Sequence, residues 1–315
     1  MSHFTSAQDI DNLQTLVQTA FAIKKDPYRD TLLGSNRSMC LLFLNPSLRT
    51  RLSTQKAALN LGLDTVVMDM GKEGWQLEFE DGVVMDGDKA EHVREAAAVI
   101  GQYYDIIGIR AFASLKDREE DYAEKVIQSF VKYAGVPIIN LESPTRHPLQ
   151  SLTDVITIEE FKKTRQPKVV LSWAPHPKAL PQAVANSFLE WMQLTDYKVV
   201  ITHPEGYELA EEFAGNFPVE YDQRKALESA DFVYVKNWSS YRDYGKVNSM
   251  DLEWMLTHQK MKLTNDAKFM HCLPVRRNVI VEDAVIDSAS SIVIPQAANR
   301  EVAAQTVLEQ ILMDL

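Results

Sequence analysis

Cysteine is scarce in this 315-residue chain, with only Cys40 and Cys272 present. Two distant cysteines cannot form a CxxC zinc pair, and one long-range disulfide does not suit a chain of cytosolic character. Basic residues are also in deficit, 33 against 44 acidic ones, for a formal charge of −11. Duplex nucleic acid calls for a basic footprint, so a nucleic-acid partner is not expected. An anionic ligand must instead be held by a local cluster of arginine and lysine. No apolar run approaches the length of about 18 residues that a membrane span needs. The opening MSHFTSAQDIDNLQ has neither the basic nor the apolar region of a secretory signal, and the cytoplasm is the expected compartment. The 12 glycines make no GxGxxG and no GxxxxGK[ST], so dinucleotide-binding and P-loop readings lack their backbone cradle.

What remains is an ordinary globular composition, 45% hydrophobic and 24% charged, at a length that suits two domains. Short apolar runs at 39–44, 65–68, 105–109 and 137–141 predict buried strands in a first half. Runs at 168–173, 197–202, 231–235, 268–272 and 291–294 repeat the pattern in a second. They are continuous rather than alternating, as strands covered on both faces are. Helical periodicity falls between them, at 49–61, 89–103, 119–133, 149–163, 182–193 and 222–229, with amphipathic helices at 7–25 and 299–314. Alternating strands and helices imply right-handed crossovers. The expected fold is α/β: two doubly wound domains, each a parallel sheet flanked by helices, meeting near residues 142–150.

In open α/β sheets, ligands bind beyond the carboxyl ends of strands, so polar residues there are the candidates. After the first strand comes Ser47-Leu48-Arg49-Thr50-Arg51, running into a helix. A helix N-terminus flanked by hydroxyls and two arginine forks suits phosphate. A serine cap with solvent-facing arginines would give the same letters. Arg110 follows a later strand, and Thr145-Arg146-His147-Pro148-Leu149-Gln150 follows another. His271-Cys272-Leu273-Pro274 closes the strand at 268–272, with Arg276 and Arg277 behind it. Singly, these read as a surface arginine, a turn histidine and an inert buried cysteine.

Together and in this order, S-x-R-T-R, the strand-end arginine, H-P-x-Q and H-C-L-P resemble the transcarbamylase (aspartate/ornithine carbamoyltransferase) superfamily. The likeness spans almost the whole chain and extends to Ala298-Asn299-Arg300, similar to that family's A-E-N-R. The resemblance implies a carbamoyltransferase that uses carbamoyl phosphate, needs no metal or cofactor, and works as a homotrimer with shared active sites. It implies a carbamoyl phosphate domain at 1–147, an acceptor domain at 148–298 and a C-terminal helix, 299–315, packing back on the first. Carried over residue by residue, Ser47, Leu48, Arg49, Thr50, Trp75, Arg110, His147, Gln150, Cys272, Leu273 and Arg300 are expected to bind carbamoyl phosphate. Of these, Arg49, Thr50, Arg110, His147 and Cys272 are the catalytic candidates, and Trp75 is expected to reach a neighbouring subunit.

The acceptor is read from the second domain. Ornithine-using members carry an aspartate just after the strand at 231–235, followed later by Ser-Met-Gly; here Lys236 stands in that place and Ser-Met-Gly is missing. A lysine would repel a free α-ammonium but would tolerate an acylated, uncharged nitrogen beside a carboxylate. The pattern therefore looks like the N-acylornithine branch, with Glu142, His176, Lys236, Leu273, Arg276 and Ala90 expected at the acceptor. Acetyl users of that branch tend to place a glutamate where this chain has Ala90, and succinyl users a proline. Absence of the glutamate leaves room for a longer, charged acyl group. The expected reaction gives N-succinyl-L-citrulline from N-succinyl-L-ornithine in arginine biosynthesis. The alternatives are the N-acetyl substrate, or a non-catalytic relative that binds a phosphate ligand.

Overall fold

The computed structural model describes all 315 residues, and the chain divides into two compact units. The first comprises Met1–Ser114, Glu119–Leu149 and Arg300–Leu315; the second comprises Leu115–Arg118 and Gln150–Asn299. In the first unit, β1 (Ser38–Phe43), β2 (Asp64–Asp69), β5 (Ile106–Arg110) and β6 (Ile138–Glu142) form a sheet in the order β2-β1-β5-β6. Every pairing in it is parallel. Two short strands, β3 (Leu77–Glu78) and β4 (Glu91–His92), pair with each other outside that sheet. In the second unit, β7 (Lys168–Trp173), β8 (Lys198–Thr202), β9 (Phe232–Lys236) and β10 (Lys268–Met270) form a second parallel sheet, ordered β10-β9-β7-β8.

The strands are apolar without alternation because both faces are covered. All five residues of β5 and all five of β6 are buried. One face of the first sheet packs Cys40, Leu42, Ile107 and Ile109 against Val93 and Ala97 of the helix Val93–Tyr103 and against Ile127 and Phe130 of the helix Lys125–Tyr133. The chain start joins the sheet at its β6 edge, where the Phe4 N–H donates to Ile138 O and the Asn140 N–H to Phe4 O, both at 2.8 Å.

Several expectations are corrected, among them the helix over 7–25, which is a 3-10 turn, Ala7–Asp9, followed by a separate helix, Leu13–Lys25. The run 291–294 is not a strand: Ser291 makes a single bridge to Phe269, and the helix Val293–Asp314 begins two residues later. Pro295 sits in its first turn, where a missing N–H costs nothing, so the helix also starts earlier than position 299. The strand expected over 268–272 ends at Met270. The helix expected over 119–133 is broken between Arg118–Tyr122 and Lys125–Tyr133 by Glu124, whose backbone is left-handed at φ 52°. The helix expected from residue 89 starts at Val93, because Glu91 and His92 are spent on β4.

Candidate active site

In the first unit the polar groups gather at the carboxyl ends of β1, β5 and β6. β1 ends at Phe43, and the helix Arg49–Asn60 begins six residues on. The Thr50 N–H donates to Ser47 Oγ at 3.3 Å, closing the entry turn. The first turn of this helix holds two arginines and no acid. Cations at the positive end of a helix dipole are unfavourable by about 0.3–1 kcal/mol each, so this is a local conflict of the sort expected where an anion binds.

Thr50 is 2% exposed, and its hydroxyl is held from two sides. Arg300 Nη2 donates to Thr50 Oγ1 at 2.7 Å, and Arg110 Nη1 approaches the same oxygen at 3.5 Å. A hydroxyl has two acceptor positions and one proton, so two guanidinium donors leave the proton as its remaining valence. Arg110 ends β5, where the register slips: Ile109 faces Asn140 but Arg110 faces Glu142. The irregularity sets Arg110 Nη1 onto Glu142 Oε2 as a buried ion pair. His147 Nε2 lies 3.4 Å from the same carboxylate oxygen. Phe112 flanks the Arg110 guanidinium, 4.3 Å from ring centroid to charge. Arg110 is thus paired with Glu142, while Arg300 is turned onto the Thr50 hydroxyl.

The loop carrying Glu142 and His147 is fixed by a residue that the sequence did not single out. Glu124 Oε1 accepts from Ser143 Oγ at 2.8 Å, from the Thr145 N–H at 2.8 Å, and from Thr145 Oγ1. Burial pushes its carboxyl above the usual glutamate range, against the pull of those donors and of Arg146. No sequence pattern announces Glu124; it reads as one more acid in an amphipathic helix.

Trp75 and Ala90 lie on the segment that carries β3 and β4. The Trp75 ring is 59% exposed, and its Nε1–H donates to Glu91 Oε2 at 2.9 Å. Ala90 is exposed, and its N–H donates to Gln76 O. Glu91, the neighbour able to replace a missing glutamate at position 90, is therefore engaged with the indole. Leu48 is exposed and Ser47 half-buried at the helix entry.

In the second unit, His176, Lys236 and Arg276 come together. Lys236 ends β9, and Arg276 Nε donates to His176 Nε2 at 3.0 Å. Burial lowers the His176 pKa, and the charges of Arg276, Lys236 and Lys178 lower it further. The ring is neutral, set among these three cationic side chains. Gln150, near the start of the helix Pro148–Phe161, donates from Nε2 to Asp154 Oδ1 at 2.8 Å. Cys272 and Leu273 are half-buried in the turn after β10; Leu273 has φ 54°, and the Leu273–Pro274 peptide is cis. A left-handed leucine is a conformation that only a tightly determined turn holds.

Comparison with known proteins follows the same division. Residues 2–160 match the aspartate/ornithine carbamoyltransferase carbamoyl-P binding domain, and residues 181–311 the Asp/Orn binding domain of that family. The chain is 56% identical to the N-succinylornithine carbamoyltransferase of Bacteroides thetaiotaomicron over the full length of both. It is 38% identical to the N-acetylornithine carbamoyltransferase of Xanthomonas campestris pv. campestris, covering 95% of this chain and 94% of that one. Among solved structures, acetylornithine transcarbamylase complexed with acetylcitrulline superposes with a TM-score of 0.92 at 37% identity, covering 99% of each chain. So does a glutamate-to-alanine variant of N-acetyl-L-ornithine transcarbamylase complexed with carbamyl phosphate and N-succinyl-L-norvaline, at TM-score 0.92 and 37% identity, covering 99% of this chain and 100% of that one.

Proposed function

Because the chain belongs to the aspartate/ornithine carbamoyltransferase family, we propose that it moves the carbamoyl group of carbamoyl phosphate to the δ-amine of N-succinyl-L-ornithine. The products are N-succinyl-L-citrulline and phosphate, a step of arginine biosynthesis in the cytoplasm. The observation that carries the reading is the full-length likeness to an enzyme named for N-succinylornithine, well above that to enzymes named for N-acetylornithine.

Carbamoyl phosphate is held by Ser47, Leu48, Arg49, Thr50, Arg110, His147 and Arg300, with Gln150, Cys272 and Leu273 on the carbamoyl side. Thr50 suits this role because two arginines occupy its acceptor positions, turning its proton to the ligand. As the neutral amine attacks the carbamoyl carbon, charge grows on the carbonyl oxygen. Thr50, Arg110 and His147 stabilise it, each worth about 3 kcal/mol. The departing phosphate takes the proton, so no protein base is needed, and holding the reactants in line supplies much of the remaining acceleration.

The acceptor is recognised by Glu142, Ala90, His176, Lys236, Leu273 and Arg276. N-Succinylornithine brings two carboxylates where N-acetylornithine brings one. Lys236 and Arg276, beside a neutral His176, offer one cation to each of the two. Exposed Ala90, with Glu91 tied to Trp75, leaves the acyl side without a carboxylate to repel the succinyl end. The enzyme assembles as a homotrimer, with Trp75 completing a neighbour's carbamoyl phosphate site. A colorimetric citrulline-type assay run in parallel on ornithine, N-acetylornithine and N-succinylornithine tests the reading. Colour from N-succinylornithine is expected; colour from ornithine alone, or from none of the three, contradicts it.

A further inference from the structure

Asp154 is 0% exposed, an acid in the interior of the second unit, four residues beyond Gln150 on the helix Pro148–Phe161. Its Oδ1 accepts from Gln150 Nε2 at 2.8 Å and from Gln296 Nε2 at 2.7 Å. Gln296 Oε1 in turn accepts from the His271 N–H at 2.9 Å, and His271 Nδ1 accepts from the Leu273 N–H at 2.8 Å. An unbroken chain of hydrogen bonds therefore runs from Gln150 through Asp154 and Gln296 to the turn that holds Cys272 and Leu273. Tyr234 lies beside Asp154 and Cys272; burial, then those two neighbours, pushes its hydroxyl well above the tyrosine range and keeps it a donor.

The polarity of this chain follows from its centre. A carboxylate only accepts, so each glutamine must present its NH2 end to Asp154. For Gln296 the oxygen end is then the one that meets the His271 N–H. For Gln150 the same constraint makes the amide oxygen the end offered away from Asp154. An asparagine or a hydroxyl at the centre would allow either amide to flip; a carboxylate does not. A buried charge is a costly way to fill that volume, and orienting two amides at once is what it provides in exchange.

We propose that Asp154 is a positioning residue for carbamoyl transfer: it aims the Gln150 oxygen at the carbamoyl NH2 and, through Gln296, fixes the His271–Leu273 turn against the acceptor amine. This rests on the carbamoyltransferase reading above. It makes two arms separable. The Gln150 arm bears on carbamoyl phosphate alone, and the Gln296 arm, through the turn of Cys272 and Leu273, bears on the acylornithine as well.

The test is steady-state kcat and KM for both substrates, with melting temperature, in full-length Asp154→Asn, Asp154→Leu and Gln296→Leu. Asp154→Asn keeps the volume but adds a donor that lets either amide flip, and should raise both KM values by more than about threefold. Asp154→Leu should raise both KM values by about tenfold or more. Gln296→Leu should raise the KM for N-succinyl-L-ornithine by about tenfold, and that for carbamoyl phosphate with it, because Cys272 and Leu273 serve the carbamoyl side as well. A lowered melting temperature in Asp154→Leu with both KM values at wild type would mean a purely structural acid and overturns the inference. So does a Gln296→Leu enzyme whose KM for N-succinyl-L-ornithine stays at wild type, and that variant decides the matter alone should Asp154→Leu not fold. Failure of the wild type to carbamoylate any acylornithine overturns the function reading and this inference with it; an active wild type with unshifted variants overturns the inference only.

Discussion

Thr50 gathers two guanidinium donors on one buried hydroxyl, and the arginine beside it, Arg49, heads the same helix. If Arg49 serves the phosphate and the growing oxyanion, Arg49→Ala should abolish turnover while leaving the circular dichroism spectrum and melting temperature at wild-type values. Activity above a few per cent would contradict the assignment. Glu124 makes a different prediction, about stability. Its folded pKa lies above the ordinary 4.5, so the folded state keeps this proton longer than the unfolded chain does. Wild type therefore loses stability as pH rises from the unfolded value through the folded one, and a glutamine does not titrate. The melting temperature of Glu124→Gln relative to wild type should climb as pH rises above the ordinary 4.5; a flat difference would mean the carboxyl titrates normally. At this scale the sequence was uneven in what it disclosed. Thr50, Arg110, His147 and Arg300 stood out because they follow strands or complete a motif. Asp154 was within reach, since it sits at i+4 from Gln150 on a helix. Glu124 was not, because only the long-range contacts with Ser143 and Thr145 distinguish it from a solvated acid.

The strands of both sheets were legible because burial on both faces leaves continuous apolar runs, and their observed ends lie within a residue or two of the sequence reading. The same rule misread 291–294, whose β-branched letters belong to a bridge and the first turn of a helix. A short apolar run holds no periodicity to separate the two. That helix, Val293–Asp314, carries Arg300 to Thr50 and is tied down along its length. Asn60 Nδ2 donates to Glu301 Oε1 and Gln305 Oε1, both at 2.8 Å, and Arg29 pairs with Glu309. The Glu309 side chain is 1% exposed and that of Arg29 is 30% exposed. Removing the arginine strands a buried carboxylate, a cost of about 3–5 kcal/mol for a fully buried pair. Discounted for the partly solvated arginine, Arg29→Ala should destabilise by about 2–3 kcal/mol in chemical denaturation. A change under about 0.5 kcal/mol, the surface-pair range, would show that the helix is not anchored there.

At the scale of the whole molecule, the net charge is −11, so holding an anion falls to local arginines such as Arg110 and Arg300 at Thr50. The proposed trimer predicts complementation. Subunits carrying Trp75→Ala, mixed and reassociated with subunits carrying Arg49→Ala, should recover part of wild-type activity, since a hybrid contains some sites with both groups intact. No recovery in hybrids verified by mass would place each site within one chain. Substrate choice is where the reading commits most. The sequence made the family legible through spaced motifs, and made the acyl group legible only through Lys236 and Ala90, two positions whose meaning depends on neighbours such as Glu91. The decisive measurement is kcat/KM for N-succinylornithine and N-acetylornithine in wild type and in Ala90→Glu. The account predicts a succinyl preference in wild type that reverses when the glutamate is introduced. An acetyl preference in the wild-type enzyme would contradict it.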